Sequence, residues 1–290
     1  MRRFLVWLAA LSLAACSQEP GAGGEQPAPS PVLYEVSSAN GEIEGWLFGT
    51  IHALPDGTEW RTPDLQDVIT EADVLIVEIA GLEDSAAMFE TFMTLSRTPG
   101  QPDIGTRVAQ SSRPQLFDLI ERSGYEPHDF ASVETWAAAL MLAQVSTTGD
   151  PANGIDRALL KDFQGREIRE FEGAEVQLGI FDGLAEQDQR DLLAGVLAES
   201  QSDDPTKLRR AWLTGDEAIL IEATNSGIMS DPELRKAILT DRNDAWLTQL
   251  ENVLAHPEKP LVAVGAAHLV GPDGLPALLT RKGYVVQRVQ

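Results

Sequence analysis

Two short, uninterrupted apolar runs constrain this chain most: Val74-Leu75-Ile76-Val77 and Leu261-Val262-Ala263-Val264. A strand with one wet face alternates apolar and polar residues, whereas a strand covered on both faces does not. Runs this short and this rich in β-branched residues read as buried strands. A sheet containing them needs helices over its faces, and the sequence supplies candidates. Leu65 to Ala72, Ile155 to Phe163 and Leu275 to Lys282 read as helices. Asp84 to Thr148 reads as mainly helical, with turns at Gly100, Gly124 and Pro127, and residues 172 to 255 likewise, with breaks near Gly183, Pro205, Gly215 and Gly227. Val32 to Ser37 and Glu44 to Ile51 form an expected hairpin around Asn40-Gly41. Glu167 to Phe171 and Tyr284 to Val289 complete the expected strands. The expected class is α/β: a mixed β-sheet flanked by helices, with a large helical portion between the strand ending near residue 52 and the one ending near residue 268.

The first residues carry a different signal. Arg2 and Arg3 precede an uncharged apolar run from Phe4 to Ala15, and small residues stand just before Cys16. This is the layout of a secretory signal peptide, residues 1 to 15. The run is too short to span a bilayer, which takes about 20 apolar residues. Leu13-Ala14-Ala15-Cys16 resembles a bacterial lipobox, so Cys16, the only cysteine, is the expected site of lipidation. Ser17 in place of Asp favours the outer membrane, facing the periplasm. Residues 17 to 31 are rich in Pro, Gly, Gln, Glu, Ala and Ser and read as a flexible tether. The remainder, 32 to 290, is long enough for one domain with a substantial core.

Forty-five acidic residues against 22 basic ones give a net charge of −23, and loss of Arg2 and Arg3 with the signal makes the chain more acidic. Such a chain repels nucleic acid and anionic membrane surfaces, so the expected membrane contact is the lipid anchor alone. With no cysteine beyond residue 16, thiolate zinc sites and cysteine nucleophiles are excluded.

Three strand ends carry groups capable of chemistry. Gly49-Thr50-Ile51-His52 ends in a histidine, Val74 to Glu78 in a carboxylate, and Gly265-Ala266-Ala267-His268 in a second histidine. Ligand sites of open α/β sheets lie beyond the carboxyl ends of the strands. If the three strands are neighbours, two imidazoles and a carboxylate converge, a set that suits zinc, manganese, iron or cobalt. A lone histidine at a strand end is more often a hydrogen-bonded structural residue, and only the matched pair with Glu78 raises the functional reading above it. His128 and His256 lie in apparent surface turns, and HExxH, GxSxG and Walker signatures are missing.

With Leu54-Pro55, Trp60, Gly154-Ile155-Asp156, Glu172 to Gln177, Asp182-Gly183-Leu184 and Asp241-Arg242-Asn243 added to these motifs, the chain resembles the TraB/GumN family from about Val32 to Val289. That family is similar to the Tiki metallopeptidases and distantly similar to erythromycin esterase and the haem-binding ChaN lipoproteins. The resemblance implies a metal site of His52, Glu78 and His268 holding manganese, cobalt or zinc. Glu78, Arg242 and Asn243 are then catalytic candidates. Arg242 would pair with Glu78 or clamp a substrate carboxylate or oxyanion, against the alternative of an exposed helix charge. Asp156, at a helix start, reads as an N-cap rather than a catalytic acid. Glu175 and Gln177 remain unassigned.

The expected function is a metal-dependent hydrolase of the peptidase kind, acting in the cell envelope on a peptide or small-molecule substrate. The alternatives are a non-catalytic ligand-binding lipoprotein, with haem as one ligand, and a signalling protein that uses the same pocket.

Overall fold

The computed structural model describes residues 28–290. The expected signal peptide and Cys16 lie outside the described residues. The last residues of the expected tether are already docked: Ser30 N–H donates to Leu213 O at 2.8 Å, and Pro31 O accepts from Gln290 at 3.0 Å.

Six strands form one sheet: β1 (Leu33–Ser37), β2 (Ile43–Thr50), β3 (Val74–Val77), β4 (Glu167–Glu170), β5 (Pro260–Gly265) and β6 (Val285–Arg288). Their order across the sheet is β4-β3-β5-β2-β1-β6. β2, β3 and β4 run parallel to one another through β5, and β1 is antiparallel to both β2 and β6. Only β1 therefore runs against the rest, and the carboxyl ends of the other five share one edge. The mixed α/β sheet expected from the sequence is the one found.

The apolar runs sit where complete burial demands them. Every residue of β3 is buried, and in β5 only Gly265 is less than fully so. The edge strands β4 and β6, with polar sequences EIRE and VVQR, stay half exposed. The hairpin closes through Gly41, whose φ of 81° is a left-handed value that glycine adopts without a side-chain clash.

The described residues form twelve α-helices: α1 (Pro63–Glu71), α2 (Ser85–Leu95), α3 (Arg113–Ser123), α4 (Thr135–Ala143), α5 (Ile155–Asp162), α6 (Ala174–Asp182), α7 (Glu186–Glu199), α8 (Lys207–Thr214), α9 (Glu217–Ala223), α10 (Pro232–Arg235), α11 (Asp241–Leu254) and α12 (Leu275–Arg281). The start of α1 illustrates the local logic. Thr62 accepts the Leu65 N–H on its hydroxyl, and Pro63 fills the first turn, where no amide donor is required. Helices α1, α5, α8, α11 and α12 bury Leu65, Leu159, Trp212, Leu250 and Leu279 against the sheet. A second core, away from the sheet, joins α3, α4 and α7 through Leu119, Trp136 and Leu193. Full burial of each such side chain contributes about 1.5–3 kcal/mol. No helix among the described residues is long and apolar enough to cross a membrane.

Candidate functional site

The parallel order decides the geometry. β5 lies between β3 and β2, so the segments leaving these three strands are neighbours. They carry His268, Glu78 and His52. α11 reaches the same edge. Its core-facing residues Trp246, Leu250 and Leu254 recur at helical spacing, and the same face one turn earlier presents Arg242 and Asn243. Both are thereby carried inward, to 7% and 0% exposure.

Arg242 is the hub. Its Nε donates to both carboxylate oxygens of Glu172 at 3.0 and 3.1 Å. Nη2 donates to Glu172 Oε2 at 2.9 Å and to Glu78 Oε2 at 2.6 Å. Nη1 donates to Ile238 O at 3.2 Å and lies 3.3 Å from His268 Nε2. A guanidinium has five N–H donors, and all five are directed at protein acceptors. The indole of Trp246 lies against the guanidinium, 4.6 Å from Cζ, and donates to Glu172 Oε1 at 2.9 Å. The other oxygen of Glu78 accepts the Gly265 N–H at 2.8 Å. Burial pulls the Glu78 carboxyl upward, but His268, Arg242, His52 and the Gly265 amide outweigh it and bring it down to about 2. At neutral pH the permanent cation among them is Arg242.

His268 sits in a short 3-10 turn, Ala266–Leu269, and is 5% exposed. Its Nδ1 is 2.6 Å from Asn243 Oδ1. The Asn243 amide nitrogen is committed to Asp273 O at 2.8 Å, so Oδ1 is the acceptor and Nδ1 carries the proton. Nε2 then presents a lone pair, and that lone pair faces Arg242. Burial, followed by the charges of Arg242 and His52, lowers His268 to about 4, against an opposing pull from Glu78. It is neutral at pH 7.

His52 is in the opposite condition. Its Nδ1 is 2.8 Å from Asp156 Oδ2, while Thr50 donates to Asp156 Oδ1 at 2.7 Å. The contact needs α5 close to the end of β2, and the Ile155 N–H to Ile51 O bond at 3.0 Å closes that gap. Gly154 permits it, because a Cβ there would lie 2.5 Å from His52 O. The imidazole, 71% exposed, lies in the wall of a groove of about 530 Å³ with Ile51, Ala53, Ala143, Ile219 and Ala223. The hydrogen bond and charge of Asp156, with a further pull from Glu78, raise His52 to about 9, against the charge of Arg242. Water in the groove moderates that shift, and its upward direction follows from the buried carboxylate.

Glu78, His268, Arg242 and Asn243 thus form one hydrogen-bonded network, and His52 stands beside it, near enough for its charge to act on Glu78 and His268. One expectation is corrected, and one alternative is set aside. Asp156 does not cap α5: Gly154 is the N-cap, and Asp156, in the first turn, turns its carboxylate to His52 and Thr50. Arg242 is no exposed helix charge, because the apolar face of α11 buries it. His128 is 82% exposed, and His256 binds only its own helix end through Asn252 O, both in surface positions. Of the unassigned pair, Glu175 is exposed and the Gln177 side-chain oxygen is buried without a partner among the described residues.

The donor atoms of His52, Glu78 and His268 do not fit a single metal centre. Both Glu78 oxygens already accept hydrogen bonds. The His268 lone pair faces Arg242, a cation that does not deprotonate. A divalent ion there would meet like-charge repulsion of several kcal/mol. Among the described residues no group of three or more His, Cys, Asp or Glu side chains is arranged to hold a metal.

Residues 32–288 match the model of the TraB/PrgY/gumN family. The chain belongs to that family. It is 26% identical to "Uncharacterized protein YbaP" of Shigella flexneri over 249 residues, 82% of this chain and 89% of that protein. It is 27% identical to the protein of the same name from Escherichia coli (strain K12) over 243 residues, 80% of this chain and 86% of that protein. No solved structure matches the chain.

In this TraB/PrgY/gumN protein three site residues escape a reading of the sequence: Glu172, the second carboxylate on Arg242; Asp156 as the partner of His52; and Thr50, which orients Asp156. One signal was available. Arg242 and Asn243 fall on the apolar face of α11, and a buried arginine requires acceptors. The family's paired glycines have unequal roles. A Cβ on Gly49 would come within 2.6 Å of Val32, whereas one on Gly265 would meet Glu78 at an ordinary 3.4 Å.

Proposed function

We propose that this chain is a hydrolase of peptide or ester bonds whose proton-transfer group is His52, oriented by Asp156. The observation that carries the reading is the His52–Asp156 pair opening onto a groove. Nδ1 is held by a buried carboxylate, which leaves Nε2 as the ring nitrogen free to meet water or substrate. A neutral imidazole in this arrangement takes a proton from attacking water at Nε2 and returns it to the leaving group, while Asp156 stabilises the imidazolium formed between. Glu78 and Arg242 act as positioning residues: their hydrogen bonds are spent within the protein, and they fix the charge beside His52. The apolar wall of Ile51, Ala53, Ala143 and Ile219 suits an apolar side chain or acyl group of the substrate.

The same proposal includes export and lipid anchoring through Cys16, which rest on the sequence around it. No step of this proposal runs through a metal, because Arg242 already faces the His268 lone pair and one Glu78 oxygen.

The test is a pH profile of hydrolysis on a panel of peptides and activated esters. kcat/KM is expected to rise with pH through an apparent pKa above the 6.5 of free imidazole. Asp156→Asn should move that limb toward acid and lower the plateau roughly 10²- to 10⁴-fold, and His52→Gln should abolish turnover. Turnover that survives His52→Gln, or a limb unmoved in Asp156→Asn, refutes the reading. Activity lost to a chelator and restored by manganese, cobalt or zinc would put a metal in the centre and also overturn it.

A further inference from the structure

A second and larger cleft, of about 890 Å³, takes Leu54 and Pro55 into its lining. Its wall includes Leu54, Pro55 and Trp60, and its charged lining comes from Arg61, Arg157, Lys161, Glu83 and Asp162. The residues lining this cleft and those lining the His52 groove do not overlap. Asp156 points to His52, while Arg157 and Lys161 face the cleft.

Arg61 is committed, with Nη2 2.7 Å from Asp162 Oδ2 and its guanidinium stacked 4.4 Å from the centre of the Trp60 ring. Arg157 and Lys161 are not committed: among the described residues, neither forms an ion pair. They stand four residues apart on α5, where like charges oppose each other and weaken the helix. In a chain of net charge −23, carboxylates outnumber cations two to one, yet two neighbouring cations here go without partners. Glu83 is the single lining carboxylate outside the Arg61–Asp162 pair.

We propose that this cleft binds a small organic anion carrying two or more negative charges, with its oxyanion groups on Arg157 and Lys161 and its carbon skeleton against Leu54, Pro55 and Trp60. Arg157 suits a forked hydrogen bond to a carboxylate or phosphate, and Lys161 adds a point charge. The cleft is large enough for a ligand of that size. The field of the whole protein repels anions, so saturable anion binding must come from a local site. The inference does not rest on the hydrolase reading, because none of the residues lining this cleft lines the His52 groove.

Calorimetric titration of the purified protein with citrate and with glucose 6-phosphate tests it and separates a carboxylate from a phosphate preference. Saturable one-to-one binding of at least one probe is expected, weakening as salt is raised. Arg157→Gln and Lys161→Gln should each weaken binding by roughly fivefold or more, the scale of one close charge contact in water. Glu83→Gln removes a like charge from the lining and should tighten binding severalfold. His52→Gln should leave binding unchanged, so failure of the hydrolase reading would not register in this assay. The paired surface cation Arg169 supplies the control, and Arg169→Gln should have no effect. Absence of saturable binding by either probe at millimolar concentration overturns the proposal. So does binding indifferent to Arg157→Gln and Lys161→Gln in variants whose melting temperature matches the wild type, or binding weakened by Glu83→Gln.

Discussion

Replacing Arg242 by methionine isolates what the buried cation does. The side chains of Arg242, Glu78 and Glu172 are 8%, 9% and 8% exposed. The guanidinium donates to both carboxylates, and methionine keeps much of its apolar volume while removing charge and donors. Two buried carboxylates then face each other without a cation. Breaking a buried pair by deleting one partner costs about 3–5 kcal/mol. For a domain of this size each kcal/mol moves the melting temperature by roughly 2–4 °C, so a loss of about 6–20 °C is expected at pH 7. The sign of its pH dependence follows from Glu78. Without Arg242, burial raises the folded carboxyl above its unfolded value, so the folded variant binds a proton more readily than its unfolded chain. The deficit relative to wild type should therefore shrink as pH falls toward 4.5 and grow as pH rises above it. Differential scanning calorimetry of both proteins from pH 4.5 to 8 measures this. Arg242→Lys, which restores charge without the fork, should fall between them. A pH 7 loss under about 2 °C, or a deficit that does not vary with pH, would show that the network is not held by its charge.

The wild-type protein should be most stable near pH 6.5. His268, lowered to about 4 in the fold, loses its contribution as pH falls from 6.5 to 4, by up to about 3 kcal/mol. Glu78, lowered to about 2, extends the loss below 4.5, while His52, raised to about 9, contributes fully below 6.5 and loses its contribution as pH rises through 9. His268→Asn should flatten the acid limb between pH 6.5 and 4, and equal wild-type melting temperatures at pH 4.5 and 6.5 would contradict the assignment. Cys16→Ser should shift the protein from the membrane to the soluble fraction of cell lysates, and unchanged fractionation without detergent would remove the anchor proposal.

What the sequence made legible follows physical range. The all-apolar runs of β3 and β5 announce themselves because burial on both faces excludes polar residues, and the hairpin because its turn needs a glycine at Gly41. Strand order is different. That β5 separates β3 from β2 depends on pairings between residues 186 and 215 positions apart, as in Val74 with Pro260 and Trp46 with Leu261, and no local pattern encodes it. The site divides along the same line. His52, Glu78 and His268 were visible as strand ends, and Arg242 and Asn243 through motif resemblance. Glu172 and Asp156 were quoted in motifs but left without these roles, because each is defined by its partner, 70 residues away for Arg242 and 104 for His52. Asp156 at a helix start satisfies local capping rules equally well, so the local rule supplied the wrong role.

The two Gly-x-x-His motifs also show why a shared motif does not give a shared chemistry. Each places an imidazole beyond the carboxyl end of a parallel strand, one strand from the other. His52 then meets a buried carboxylate and is held in its charged form, while His268 meets an asparagine oxygen on one side and a guanidinium on the other and is held neutral. The two imidazoles are therefore shifted in opposite directions, His52 upward by Asp156 and His268 downward by burial. In the proposed reaction the proton passes through His52, because the lone pair of His268 faces Arg242. Raising pH toward 9 frees His52 to act as a base without disturbing His268. The second histidine serves to hold Arg242 and Glu78 in place, and its removal should damage the site through stability rather than through the pH at which His52 titrates.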